Sequence, residues 1–152
     1  MGERRRSTGS YEVLRTTGSN EALDRLFVYA TLRQGQTARS LVAHQITKSV
    51  KASTTGAMYV FPMGYGGFIE ADEPQRVIGE LLWLAELPAT LGLLDAYEGP
   101  EFARVLRQVR LDTGELLWSW IYVLADPDAI KHGTRIEHGD WVRYWAEQQG
   151  GP

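Results

Sequence analysis

Apolar residues fall along the chain in short runs, and their spacing changes from run to run. Leu26-Phe27-Val28-Tyr29 is nearly continuous and has the length and character of a buried strand. Residues 31–36 read as the following loop, where Gly35 permits an unusual backbone angle. Residues 37–43 predict a short helix with Thr37 as its cap. Ile46–Val60 is a long extended stretch. In it Ile46, Val50 and Ala52 alternate imperfectly with Lys48, Lys51 and Ser53, and Gly56 marks a bulge or the close approach of another group. Pro62, Gly64, Gly66 and Gly67 break regularity and predict a flexible lip. Residues 76–84 read as a core strand, with Gly79 a second bulge candidate.

The second half is more sharply punctuated. Residues 88–97 predict a helix, with Pro88 near its start, Leu91, Leu94 and Ala96 on its inner side, and Gly99-Pro100 as its stop. Residues 103–111 and Leu116–Leu124 are two β-like runs joined by Asp112-Thr113-Gly114-Glu115, a strong hairpin signal. Residues 139–148 predict a last helix with Trp141, Tyr144 and Trp145 on one face, which suits core packing better than ligand stacking. About five strands and three short helices, in uneven order, argue against a doubly wound parallel sheet. The expectation is an α+β domain: a curved or closed, mixed or antiparallel sheet, a small β-barrel, with short helices packed outside.

Composition narrows the class. A chain of 152 residues suits one domain that buries roughly two thirds of its unfolded surface. Residues 1–24 are polar and read as a flexible leader, residues 25–148 as the domain and 149–152 as a tail. Arg4-Arg5-Arg6 reads as a solvated stretch rather than a partner contact. The net charge of -3 gives no basic field for nucleic acid. Without cysteine there is no thiol nucleophile, disulfide or thiolate metal site. Neither a signal-peptide core nor a run long enough for a membrane helix is visible, so a cytoplasmic location is expected, with no membrane partner. His44, His132 and His138 match no compact metal-ligand spacing, and Gly64, Gly66 and Gly67 lack the lysine-bearing helix of a phosphate loop.

Two segments carry candidate chemistry. Glu98 ends a predicted helix beside a flexible glycine, and residues 29–32 leave a strand where backbone N–H groups are free to hold an anion. A carboxylate facing such a cradle is a minimal site for chemistry on an amide. On residue type alone Glu98 reads as a surface glutamate at a helix C-terminus rather than a catalytic one. Tyr29 suits core or pocket lining, and Arg33 and Arg104 suit ion pairs as well as substrate contacts. Asp95 reads as a local cap or pair. Glu80 reads as a partner for Arg104 or Arg107, or as a second site residue.

Several motifs in order resemble the γ-glutamylcyclotransferase-like superfamily, in its γ-glutamylamine cyclotransferase-like branch. Tyr29-Ala30-Thr31-Leu32-Arg33-Gln34-Gly35 resembles the Tyr-Gly-Thr-Leu-Arg/Lys-x-Gly signature. Gly56-Ala57-Met58-Tyr59, residues 77–84, Leu94-Asp95-Ala96-Tyr97-Glu98-Gly99, Phe102-Ala103-Arg104 with Val109, Tyr122, and Gly139-Asp140-Trp141 with Tyr144 follow. The resemblance spans residues 26–145 and implies a small mixed β-barrel. It implies a cofactor-free and metal-free reaction on a small-molecule γ-glutamyl amide, whose α-amine attacks the γ-carbonyl to give 5-oxoproline and a free amine. Glu98 is the implied acid/base. Tyr29, Ala30, Thr31, Leu32, Arg33, Tyr65 and Arg104 are the implied substrate contacts, and γ-glutamyl-amines or a specialised conjugate are expected over glutathione.

Two positions depart from the pattern. Ala30 replaces a glycine, so it is either strained at positive φ or narrows the cradle with its methyl. Phe102 replaces a tyrosine and lacks its hydroxyl. Both favour the competing expectation, a catalytically silent member that binds a small ligand or a protein. Hydrolysis by water through the same Glu98 is the third.

Overall fold

A computed structural model describes residues 24–71 and 74–150. Its elements run β1 (Arg25–Val28), β2 (Ile46–Val60), β3 (Gly66–Ile69), β4 (Gln75–Leu84), α1 (Leu87–Glu98), β5 (Phe102–Leu111), β6 (Leu116–Leu124), β7 (Thr134–Arg135) and α2 (Trp141–Gly150). The strands β2-β4-β1-β6-β5 close into a barrel through a second pairing of β2 with β5. The β1–β6 pair is parallel and the other barrel pairs are antiparallel. The far end of β2 leaves the barrel to pair with the short strands β3 and β7. The expected mixed barrel with outside helices is therefore present, with two short strands that the pattern does not reveal.

The unbroken apolar run of β1 follows from its place in this barrel. Successive side chains of a strand point to opposite faces. Leu26 and Val28 join one buried cluster with Leu82, Leu84, Leu87, Leu94, Leu106 and Trp120. Phe27 and Tyr29 join the other, with Met58, Phe68, Leu81, Val109, Ile121 and Trp141. Both faces of β1 are covered, so no polar alternation is left to read. The β5–β6 hairpin forms as expected, with Gly114 at φ +97° and its N–H on the Leu111 carbonyl at 2.8 Å. Trp141 is buried, and Tyr144 and Trp145 pack against the same core edge-on to one another.

Several local expectations are corrected. No helix spans residues 37–43, and Thr37 caps nothing: two single 3₁₀ turns, Arg39–Leu41 and Ala43–Gln45, take its place without side-chain caps. The Ala38 N–H is tied to the Thr31 carbonyl at 2.9 Å, and so short a segment cannot recover the cost of helix nucleation. Register runs unbroken through both Gly56 and Gly79, and the shift along this pair lies between Ile46 and Lys48. Gly79 is therefore no bulge and instead admits the Val28 carbonyl, whereas Gly56 meets the second of its two expectations, the close approach of another group, the Phe68 ring. Gly66 and Gly67 are no flexible lip; they are buried in β3, where a Cβ on Gly66 would lie 2.5 Å from Met58 Cε. On α1 the buried residues are Leu87, Thr90 and Leu94, whereas Ala96 is exposed. Gln149 and Gly150 continue α2 rather than forming a tail. Of the expected leader, residues 1–24, all but Asp24 lie outside the described residues, Arg4-Arg5-Arg6 among them. Among the described residues no helix is long and apolar enough to cross a membrane.

The glycines supply a paired test. Gly79→Ala pushes a methyl into the Val28 carbonyl and the Phe27 ring and is expected to cost roughly 2 kcal/mol or more in urea unfolding. Gly92→Ala on the exposed side of α1, with nothing near its added methyl, is expected to stabilise by about 0.5–1 kcal/mol.

Candidate active site

The end of β1 and the end of α1 meet at one mouth of the barrel. Between them lies a cavity of about 400 Å³. Phe27 to Leu32 form one wall, Tyr97, Glu98, Glu101 and Phe102 the opposite one, and Met63, Tyr65, Gly66 and Tyr122 complete it. The geometry of α1 follows from its anchors. Leu87 and Leu94 are sunk in the core, and Thr90 ties the helix to the chain before β2 through Gln45 Nε2 at 2.6 Å. The last turn then ends at Gly99, whose φ of +82° is open only to glycine without strain. Glu98 is the last residue before that turn.

Residues 29–32 are braced from behind. Arg33 N–H returns to the Ala30 carbonyl at 3.1 Å. Gln34 N–H donates to the Glu80 carboxylate, which also binds Arg39 Nη1 at 2.6 Å and lies 3.8 Å from Arg33 Nε. Glu80 is thus a brace for this loop, not the expected partner of Arg104 or Arg107. No acceptor among the described residues takes the N–H groups of Ala30, Thr31 or Leu32. Across the mouth, Thr31 Oγ1 and the Tyr97 hydroxyl are hydrogen-bonded at 2.8 Å. Ala30 is not at positive φ. Its backbone is unstrained, and the residue lines the cavity while packing against the core.

Glu98 is partly buried, and no described group hydrogen-bonds its carboxyl. Burial first, and the charge of Asp95 second, push its pKa up to about 7. Tyr97 is 45% exposed, so it does not cover the Glu98 carboxyl, which is desolvated in the cavity wall. Asp95 behaves oppositely. Hydrogen bonds from Arg104 (3.0 and 3.2 Å) hold its carboxyl below the usual range, helped by the Tyr122 hydroxyl at 2.6 Å. Burial and the Asp95 hydrogen bond push the Tyr122 phenol up. Tyr29 is also raised, by burial and then by the charge of Glu98, and its hydroxyl donates to the Tyr122 carbonyl at 2.7 Å.

Of the residues singled out from the sequence, Glu98, Tyr29, Ala30, Thr31, Leu32 and Tyr65 line the cavity. Arg33 and Arg104 do not. Arg33 is turned to Asp140 at 2.7 Å, and Arg104 lies between Asp95 and the Trp120 ring, lining a neighbouring cleft. Met63, Tyr97, Glu101, Phe102 and Tyr122 are lining residues that the sequence reading leaves out of the site. Tyr97 and Glu101 flank Glu98 in sequence, and that adjacency is the signal that was available. Among the described residues no group of three or more His, Asp or Glu side chains is arranged to hold a metal.

The sequence profile described as Gamma-glutamyl cyclotransferase, AIG2-like matches residues 26–143. The chain belongs to that family. A γ-L-glutamyl-butirosin B γ-glutamyl cyclotransferase of Niallia circulans is 33% identical over 134 residues, covering 83% of this chain and 80% of that protein. The crystal structure of YkqA from Bacillus subtilis superposes with a TM-score of 0.68 at 22% identity, over 84% of this chain but 43% of YkqA. An AIG2-like protein of Mus musculus gives 0.55 at 21% identity, over 69% of this chain and 80% of that one. These two structures share the fold. Family membership and the Niallia relative support an enzyme of the cyclotransferase type.

The electrostatics of Glu98 can be tested directly. In Asp95→Asn the nearby charge is gone but burial remains, so the Glu98 midpoint is expected to fall below about 7 without reaching the ordinary carboxylate value. A carboxyl-detected NMR titration reads this, and an unmoved midpoint would remove Asp95 as a cause.

Proposed function

We propose that this cyclotransferase-family chain converts γ-glutamyl amides into 5-oxoproline and a free amine, with Glu98 moving the proton. The observation that carries this reading is Glu98 itself: a carboxyl with pKa about 7, in a cavity whose opposite wall offers unclaimed backbone N–H groups.

The reaction needs the substrate's α-ammonium to lose a proton before its nitrogen attacks the γ-carbonyl. An ordinary glutamate near pKa ~4.3 is a weak base for that transfer; one near 7 is better matched to both partners. As the amide C–N bond breaks, the proton held by Glu98 passes to the departing nitrogen, so no water is consumed and the carboxylate is regenerated. The N–H groups of Ala30, Thr31 and Leu32 suit an anionic substrate group or the developing oxyanion. Ring closure is intramolecular, so a cavity that holds the substrate bent supplies much of the rate. The relative from Niallia circulans, named for a γ-glutamyl conjugate of butirosin B, favours a specialised conjugate or γ-glutamyl-amine over glutathione.

A panel of γ-glutamyl amines and dipeptides, with products identified by mass, tests the reading. Formation of 5-oxoproline is expected, falling by about 10²–10⁴-fold in Glu98→Gln with binding retained. Free glutamate as product would replace ring closure by hydrolysis, and binding without turnover would leave a ligand-binding module.

The pH dependence carries two opposite signs. Activity requires the Glu98 carboxylate, so kcat/KM is expected to rise with pH through about 7. Stability runs the other way. A carboxyl whose pKa is raised on folding stabilises the protein below its unfolded value, and that contribution is lost as pH rises through the folded value, between about 4.5 and 7. Glu98→Gln is therefore expected to be more stable than the parent chain above pH 8, by up to about 3 kcal/mol, and to show a flatter stability profile from pH 5 to 7.

A further inference from the structure

Two carboxylates, Glu98 and Glu101, are the charged side chains that line the cavity among the described residues. The arginines that could have reached it are engaged elsewhere, Arg33 with Asp140 and Arg104 with Asp95. The α-carboxylate of a γ-glutamyl group can use the backbone N–H groups after β1. A second carboxylate, on the amine side of the substrate, would meet no cation there and would face Glu101. Tyr65 and Phe102 line the cavity with Glu101. Tyr65 lies edge-on to Phe102 at 6.3 Å and stacks on Phe61 at 4.9 Å, and Met63 and Tyr65 keep the rim apolar but open. Glu101 precedes Phe102 directly. Its backbone carbonyl is fixed by Ala125 N–H at 2.8 Å, while its carboxylate leans back over Gly99. No described group pairs with that carboxylate.

We infer that the departing amine carries a second positive charge, and that Glu101, with the Tyr65–Phe102 pair, selects it. The inference rests on the ring-closing reading above and adds the chemical class of the amine. Glu98 delivers a proton to the nitrogen that leaves. Glu101 holds the distant ammonium, beside ring faces that favour a cation. The same electrostatics disfavour γ-glutamyl peptides that end in a carboxylate, because an anion without a partner beside two glutamates is repelled and desolvated at once.

Three synthetic substrates of matched length separate the alternatives: the γ-glutamyl amides of 1,4-diaminobutane, of n-butylamine and of 4-aminobutanoate. The expected order of kcat/KM is cationic, then neutral, then anionic, with the difference in KM and weakened by salt. Glu101→Gln is expected to reduce the cationic-to-neutral preference about fivefold, the scale of one exposed ion pair, and Glu101→Lys to reverse it in favour of the anionic amide. Equal turnover of all three, or a Glu101→Gln preference equal to that of the parent chain, overturns the inference while leaving ring closure standing. If none yields 5-oxoproline, ring closure falls, and calorimetry of the intact chain with the three free amines decides the rest. Tighter binding of 1,4-diaminobutane, lost in Glu101→Gln, then upholds a cation-selecting rim, and equal or absent binding overturns it.

Discussion

The site depends on where four residues end. β1 is the middle of the barrel, paired antiparallel to β4 on one side and parallel to β6 on the other, with both faces in the core. A strand held on four sides cannot slip by one residue without exchanging its two buried faces. Its exit is therefore fixed, and with it the loop that faces α1. Gly79 on β4 has no side chain, and the Val28 carbonyl occupies that space. One position along, Glu80 stands opposite Val28 in the ladder and gathers Arg39, Arg33 and the Gln34 N–H. The loop is thus held from behind by charge, which leaves its inner side free of obligations to the rest of the protein.

The distribution of cations explains why Glu98 stays unpaired. Each arginine near the mouth has its own carboxylate: Arg39 takes Glu80, Arg33 takes Asp140, and Arg104 takes Asp95. Asp95 and Glu98 lie three residues apart on one helix, yet they are driven in opposite directions. Asp95 is ionised and multiply hydrogen-bonded, and its charge adds to the desolvation that keeps a proton on Glu98. Pushing two acids apart in this way is how one helix end can hold a permanent charge beside a proton carrier. A lysine or arginine reaching Glu98 would stabilise its anion and remove that poise.

What was legible in the sequence follows from range. β1, the β5–β6 hairpin and α1 announce themselves because their signals are local: an apolar run, a turn containing Gly114, a helix between Pro88 and Gly99. Glu98 and residues 29–32 were found because they lie in motifs that travel together. The rest depends on partners far away in the chain. Nothing near Arg33 indicates Asp140, 107 residues on, and nothing near Glu80 selects Arg39 over Arg104. Gly66 and Gly67 look like a mobile stretch, because the Met58, Trp141 and Leu124 side chains that crowd them belong to other elements. Ala96 looks like part of an inner face because period alone cannot say how wide that face is.

The two departures from the family pattern take on a different meaning once the backbone is known. A glycine can be kept for its positive φ or for the room it leaves. At position 30 no positive φ is needed, so alanine costs no strain, and what remains is an added methyl on a residue that both lines the cavity and packs against the core. Phe102 lacks a hydroxyl and packs its apolar ring edge-on with the Tyr65 ring. Neither change touches Glu98 or the backbone donors opposite it, so neither removes a part that the proposed chemistry uses. Both act on the shape and polarity of the walls, which is where a choice among amines has to be made.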